Sequence, residues 1–453
     1  MVDLDQNIVD PITPEQWLEF VEQLTDEKLA NVLREQHSGD VVALMQQMAA
    51  YFQIHAFQLL DAEQAAEVLP ELDEPDQTRL IENTPDSRMN EIASFLPTDD
   101  ATDLISQLDD QQAQDILQQL PAIKRRQISE LLKYDEDSAG GIMAKEVVSA
   151  PLTATVGEVI ELLRKSPWRD EDLYNIFLVD DLGKLEGSVS IKDLVLALPS
   201  QLVAEIIDEE MVSIPSNLDQ EEVVALFRRY DLVSAPVVNE DGKFVGRITH
   251  DDIMDVVDEE AREDLARMSG QEDIAPTERS LFRNIRYRLP WLLLGLVGGL
   301  VSATVISLFE NELDKVTALV FFLPLVAAMG GNAGIQTSSV MVRGLATGEI
   351  SYFGMGTRLL REAGIALLTG LACAIVIFIL SWFWKNDLSL SIVISSSLLL
   401  VMLLSAITGA VVPLIMKKYG LDPALATGPF ITMTNDILGL FVYLALASFV
   451  LFG

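Results

Sequence analysis

One cysteine, Cys373, occurs in 453 residues, and it lies inside an apolar run. That excludes an intrachain disulfide and a thiolate metal cluster. Histidine is almost as rare. His37, His55 and His250 all fall outside the apolar C-terminal part, so no HExxH-type zinc site or Ser/His or Cys/His pair is available there. An intramembrane hydrolase is thereby disfavoured, and we expect no enzyme. Basic residues number 31 against 69 acids, a net charge of −38, which repels nucleic acid and attracts cations. The opening MVDLDQNIVD has neither a basic start nor an apolar core, which predicts no cleavable signal peptide and cytoplasmic N-terminal domains. Charge itself then becomes scarce. Up to Arg288 there are 61 acids and 24 basic residues, but from Leu289 onward only eight and seven. A soluble acidic part precedes a membrane part.

The soluble part divides in two. Residues 1–134 are rich in Glu, Gln, Leu and Ala and read as helical from about residue 13. Leu60, Leu72, Leu96, Leu108, Leu120 and Leu132 fall at multiples of twelve, most followed by Asp or Pro. Each closes one short helix before a capping residue starts the next. Such helices cannot bury an apolar face alone, so the expectation is an all-α, solenoid-like superhelix. Asp99, Asp100 and Asp103 within it read either as solvated acids at a helix start or as a cation-binding edge.

Residues 135–256 carry a duplication. GKLEGSVSIKDLVLAL (183–198) recurs as GKFVGRITHDDIMDVV (242–257) at a shift of 59, each copy preceded by an amphipathic helix and a β-like segment. The copies, 135–200 and 201–256, resemble the tandem CBS module, an α/β pair that binds adenine nucleotides or acts as a regulatory dimer interface. That resemblance makes Tyr174 and Asp193 the candidate contacts to the adenine and ribose of ATP. The next helix is abnormal. From Asp251 to Asp264 eight of fourteen residues are acidic, with Arg262 the only base. Like charges three and four apart destabilise a helix, so this stretch is either a solvated face or a set of carboxylates awaiting divalent cations. A connecting segment, 257–282, and a basic collar of Arg283, Arg286 and Arg288 lead into residues 283–453.

That last region predicts five spans, about 289–309, 316–340, 357–384, 391–416 and 425–451. Arg279, Arg283, Arg286, Arg288, Arg343, Arg358, Arg361, Lys417 and Lys418 flank the spans on the side of the soluble part, and only Lys315 and Lys385 on the other. By the positive-inside rule the soluble part is cytoplasmic and the C-terminus extracytoplasmic. In the fifth span one ionised residue, Asp436, interrupts the apolar run, with Asn435 and Thr432 beside it. An acid at that depth costs several kcal/mol unless water, a cation or a partner meets it. It reads as a cation site, with a protonated Asp bonded between helices as the alternative. In the second span Pro324 and the cluster Gly330, Gly331, Asn332 and Gly334 predict a broken helix, and Gly428–Pro429 a second break. Asn332 and Gln336 favour a polar lining over mere close packing.

Superhelix, CBS pair, acidic connecting (plug) helix and five-span α-helical transmembrane domain, in that order, resemble the MgtE family of magnesium channels and transporters. The most specific matches are P-x5-GGN-x3-Q (324–336) and DPAL…TND (422–436). The resemblance implies a homodimer in the lipids of a bacterial plasma membrane, with Asp436 at the narrow selectivity site and the GGN segment shaping it. It also implies cytosolic Mg2+ ligands at Asp219, Glu221, Asp231, Asp252, Asp255, Glu260, Glu263 and Asp264, and a pore that closes when cytosolic Mg2+ is high. A carrier coupled to Na+ or H+ is the alternative.

Overall fold

Alternation organises the first hundred residues. In the computed structural model, which describes residues 25–452 apart from 109, 167–172, 209, 269–280, 347–354, 420 and 427, nine short helices follow one another: α1 (Asp26–Glu35), α2 (Ser38–Met45), α3 (Ala50–Leu59), α4 (Ala62–Val68), α5 (Glu74–Glu82), α6 (Asp86–Phe95), α7 (Thr98–Ser106), α8 (Asp110–Gln119) and α9 (Ala122–Leu131). Packing mostly skips one helix, α1 on α3, α2 on α4, α3 on α5, α4 on α6, α6 on α8 and α7 on α9, with a smaller contact between the consecutive α7 and α8. That is the expected superhelix. The twelve-residue Leu series supplies much of its core, since Leu60, Leu72, Leu96 and Leu120 are buried. Leu132 departs from the series at 41% exposure, because it follows the last helix and has no next turn to cover it. Asp61 caps α4 through Gln64 N–H at 2.9 Å.

The duplication folds as two three-stranded sheets of one topology. In the first, β1 (Ser149–Pro151) is parallel to β2 (Asn175–Val179), which is antiparallel to β3 (Leu185–Ser190). In the second, β4 (Ile214–Pro215), β5 (Ser234–Val238) and β6 (Phe244–Thr249) repeat the arrangement. The shift of 59 holds in detail. Both hairpins carry a bulge, at Leu178/Val179 and Val237/Val238. Both turns use a glycine with positive φ, Gly183 at 79° and Gly242 at 75°, where a side chain would be strained. Asp180 and Asn239 brace those turns alike, each accepting two backbone N–H bonds through Oδ1. The copies meet about a pseudo-two-fold axis: Leu185 N–H donates to Gly242 O, and Phe244 N–H to Gly183 O. Helices α10 (Val156–Lys165), α11 (Ile191–Leu196) and α12 (Gln220–Tyr230) pack beside the sheets, and α13 (His250–Met268) follows the second.

The chain divides into two units between Val257 and Asp258, inside α13. The second unit holds α14 (Leu281–Ser307), α15 (Glu310–Lys315), α16 (Leu323–Ala346), α17 (Met355–Lys385), α18 (Leu388–Lys418) and α19 (Pro429–Phe452). Among the described residues five helices are long and apolar enough to span a membrane: 288–307, 317–345 (including a 3₁₀ turn at Thr317–Phe322), 356–385, 388–418 and 430–452. The expected spans all form. Helix α18 is the central one, packing on α16, α17 and α19. The expected breaks do not form. Helix α16 runs unbroken through Gly330, Gly331, Asn332 and Gly334, and Pro324 stands in its first turn, where a missing N–H costs nothing. Pro429 is likewise the first residue of α19, so Gly428–Pro429 starts a helix rather than interrupting one. The segment 271–280 lies outside the described residues.

Candidate functional site

In the membrane unit, small residues let three helices come close around Asn435. A side-chain carbon on Gly330 would meet Val401 Cγ1 at 2.9 Å, and one on Gly439 would meet the same atom at 3.0 Å. A carbon on Gly334 would strike Asn435 Nδ2, and one on Gly409 would strike the Gly334 carbonyl. Gly330 and Gly334 thus serve close packing, and helix-helix contact offsets their poor helix propensity. Asn435 is 1% exposed. Its Oδ1 accepts from Thr408 Oγ1 at 2.9 Å, while its Nδ2 is buried with no hydrogen-bond partner among the described residues. Gly331 faces Thr432 across α16 and α19. One turn further along α19 lies Asp436, half-buried, with no hydrogen bond or ion pair among the described residues.

Asn332 and Gln336 behave differently from their glycine neighbours. With Pro324 and Ala328 they recur every four residues, all exposed, so one face of α16 presents two amides at mid-span depth. Among the described residues of the single chain, nothing covers that stripe. The structure therefore brings Gly331, Thr432, Asn435 and Asp436 into one neighbourhood and leaves Asn332 and Gln336 on an open face beside it.

In the first unit, α7 and the start of α13 form an acid cluster. Burial, then the charge of Asp252, holds the Asp99 carboxyl well above its ordinary range, and burial with Asp103, Asp252 and Asp255 does the same to Asp100. Burial pushes Asp252 up to about 7, against two hydrogen bonds from Thr249, N–H at 2.7 Å and Oγ1 at 2.9 Å. Asp193 in the first copy makes the equivalent bond with Ser190 Oγ, at 2.6 Å, so both acids close the N-terminus of their own helix. Sequence reasoning missed Glu146. It is 3% exposed, accepts from Thr98 Oγ1 at 2.6 Å, and lies near Asp99 with no basic side chain in ion-pair reach among the described residues. Its only signal was a lone acid in an apolar stretch before β1.

The remaining sites are scattered. Asp219 caps α12 at one end, accepting from Glu221 N–H at 2.9 Å, and Asp231 ends it in the left-handed region (φ 50°). Eleven helical residues lie between them and set them about 18 Å apart, so one chain does not bring them to one ion. Glu260, Glu263 and Asp264 share a face of α13, half-buried. Glu263 pairs with Arg267, and burial, then Asp422, raises the Asp264 carboxyl. Tyr174 is 42% exposed, and its carbonyl accepts from Ile191 N–H at 3.0 Å. Among the described residues no three His, Cys, Asp or Glu side chains converge tightly enough to hold a metal ion in the single chain.

Comparison with known proteins gives these observations a context. Residues 323–446 match a family model described as a divalent cation transporter, residues 36–137 the MgtE intracellular N domain, and residues 139–200 and 203–259 the CBS domain. A relative from Thermus thermophilus named magnesium transporter MgtE is 35% identical over 323 residues, 71% of this chain and 72% of that one. One of the same name from Bacillus subtilis is 36% identical over 319 residues, 70% of each. Among solved structures, the cytosolic domain of the Mg2+ channel MgtE in complex with ATP matches at 35% identity and a TM-score of 0.50, covering 52% of this chain and 97% of that one.

Proposed function

The chain belongs to the MgtE family of magnesium transporters, multi-pass membrane proteins with a CBS regulatory module, and on that premise we propose that it conducts Mg2+ through a pore between two copies of itself. The observation that carries this reading is the open stripe of Asn332 and Gln336 on α16, together with Asp436 on the adjoining α19, which has no hydrogen-bond or ion-pair partner among the described residues. Amides and a carboxylate within the spans are costly against lipid, so they face water and a second subunit. Two-fold symmetry then sets two Asp436 carboxylates around one ion. Mg2+ gives up its water reluctantly, and a site of one carboxylate per subunit suits recognition of a hydrated ion that must also leave. Exposed Val195, Leu196 and Leu198 on and after α11 supply apolar surface for pairing of the CBS modules.

Cytosolic Mg2+ closes the pore in this reading. Ions between Asp99, Asp100, Asp103, Asp252 and Asp255, and along Glu260, Glu263 and Asp264, hold a compact state. When the ions leave, like charges repel and the state opens, a population shift driven by the transported ion. Asp219, Glu221 and Asp231 take part across subunits. ATP binds the CBS pair at Tyr174 and Asp193, supported by the ATP complex of the related cytosolic domain. The membrane is a bacterial plasma membrane, with the acidic domains inside and the C-terminus outside.

The test is Mg2+ current or proteoliposome flux of wild type and Asp436→Ala with cytosolic-side Mg2+ varied. Wild type conducting at low Mg2+ and shutting at millimolar Mg2+, with selectivity or flux lost in the variant, supports both assignments. Flux with intact selectivity in Asp436→Ala makes that residue a structural acid. Flux strictly dependent on a Na+ or H+ gradient replaces the channel by a coupled carrier.

A further inference from the structure

Arg267 stands one position from the described end of α13, and its guanidinium crosses to a residue 155 positions later. Its Nη1 donates to Asp422 Oδ2 at 2.5 Å, while another nitrogen pairs with Glu263 one turn back on α13. Both partners of the crossing pair are half-buried, at 34% and 26% side-chain exposure. Asp422 is committed on its other oxygen too. Its Oδ1 accepts from Ala424 N–H at 2.7 Å and so organises the 3₁₀ turn Pro423–Ala426 that leads to Pro429, the first residue of α19. From Pro429 to Asp436 is two helical turns, about 10 Å.

We propose that the Arg267–Asp422 ion pair is the joint through which the end of the acidic helix positions the helix carrying Asp436. The inference rests on the gating reading above and names a residue pair that transmits it. Three observations carry it. The pair links two elements far apart in sequence. Asp422 uses one oxygen on each side of the joint, so a displacement of Arg267 is felt at the start of α19. Lastly, a half-exposed ion pair of this kind contributes only modestly to stability, which suits a contact that breaks and reforms as a gate does. Arg267 is a positioning residue here and touches no ion.

The test uses the full chain in proteoliposomes or excised patches, with Arg267→Gln, Asp422→Asn and the double variant. Asn keeps the bond to Ala424 N–H through its carbonyl oxygen, so Asp422→Asn removes the charge and not the turn. Each single variant is expected to leave a residual current at millimolar cytosolic Mg2+ roughly five- to tenfold above wild type, with unit conductance and Mg2+ selectivity unchanged. The double variant should be no worse than the worse single one, since both remove the same contact. Closure like wild type in the single variants, or additive effects in the double, overturns the joint while the gating reading stands. If wild type itself ignores cytosolic Mg2+, gating reading and joint fall together. Unit conductance separates a gating defect from damage to the pore, because a merely misfolded α19 would change both.

Discussion

Asp252→Asn should make the metal-free protein more stable near neutral pH and should blunt its stabilisation by Mg2+. Burial pushes the Asp252 carboxyl from an ordinary 3.8 up to about 7. Between those values the folded chain holds a proton that the unfolded chain has released. Stability therefore falls as pH rises through that window, the reverse of a salt-bridged carboxylate. Three units of pKa at about 1.4 kcal/mol each set a ceiling of about 4 kcal/mol on the cost of ionising this group in place. Sharing of protons with Asp99 and Asp100, whose carboxyls are also held high, brings the expected effect to about 1–2 kcal/mol. The Asn side chain accepts the Thr249 bonds without the charge, so the variant isolates electrostatics from helix capping.

The assay is thermal unfolding of the detergent-solubilised full chain, with chelator or with millimolar Mg2+, on either side of pH 7. In chelator, wild type should melt higher at about pH 5 than at about pH 8, by a few degrees for a protein of this size. Mg2+ should recover most of that difference at the higher pH, because the ion takes the place of the protons. Equal stability of metal-free wild type across the window refutes the argument. So does equal stabilisation of wild type and Asp252→Asn by Mg2+.

Gly409→Ala is expected to cost about 1–3 kcal/mol by forcing α18 off the Gly334 carbonyl, read as a lower melting temperature in detergent. Asp231→Gly should raise thermal stability by up to about 1 kcal/mol, since glycine accepts φ 50° without strain, yet should raise the Mg2+ needed for closure several-fold if the acid binds ion across subunits. A melting curve and a flux titration on one preparation separate the two effects.

Periodic features were readable before folding. The twelve-residue Leu series, the shift of 59 and the five apolar runs each repeat a local physical rule, and each reappears as helices, sheets or spans. Features that depend on one close approach were not. Whether Gly330 and Gly334 break a helix or pack it depends on Val401, Ser405 and Asn435, which lie on other helices and have no trace in the local pattern. The same holds for Glu146, whose burial follows from Thr98 on α7, 48 residues away. Arg267 and Asp422 were equally invisible as a pair. The acids of α13 stand out by density, but density did not tell Asp252, tied to Thr249, from Asp255, exposed one turn on.

The unbroken helix through Gly330–Gln336 changes what can meet an ion at that level. In a continuous α-helix each carbonyl is already engaged by the N–H four residues on, so none is freed to replace hydration water as a broken helix would allow. Recognition along the proposed pathway then falls to side chains: Asp436 and Thr432 on α19, Asn332 and Gln336 on α16. These are few, and the amides and hydroxyl are neutral. Such a set cannot strip six waters from Mg2+, but it can orient them, with the carboxylate as the one strong acceptor. Selectivity would come from fitting the hydrated ion, so a larger neutral side chain at Asn332 should reduce flux by narrowing the path while leaving cytosolic closure intact. An unchanged flux in Asn332→Leu proteoliposomes would move the pathway off this face of α16.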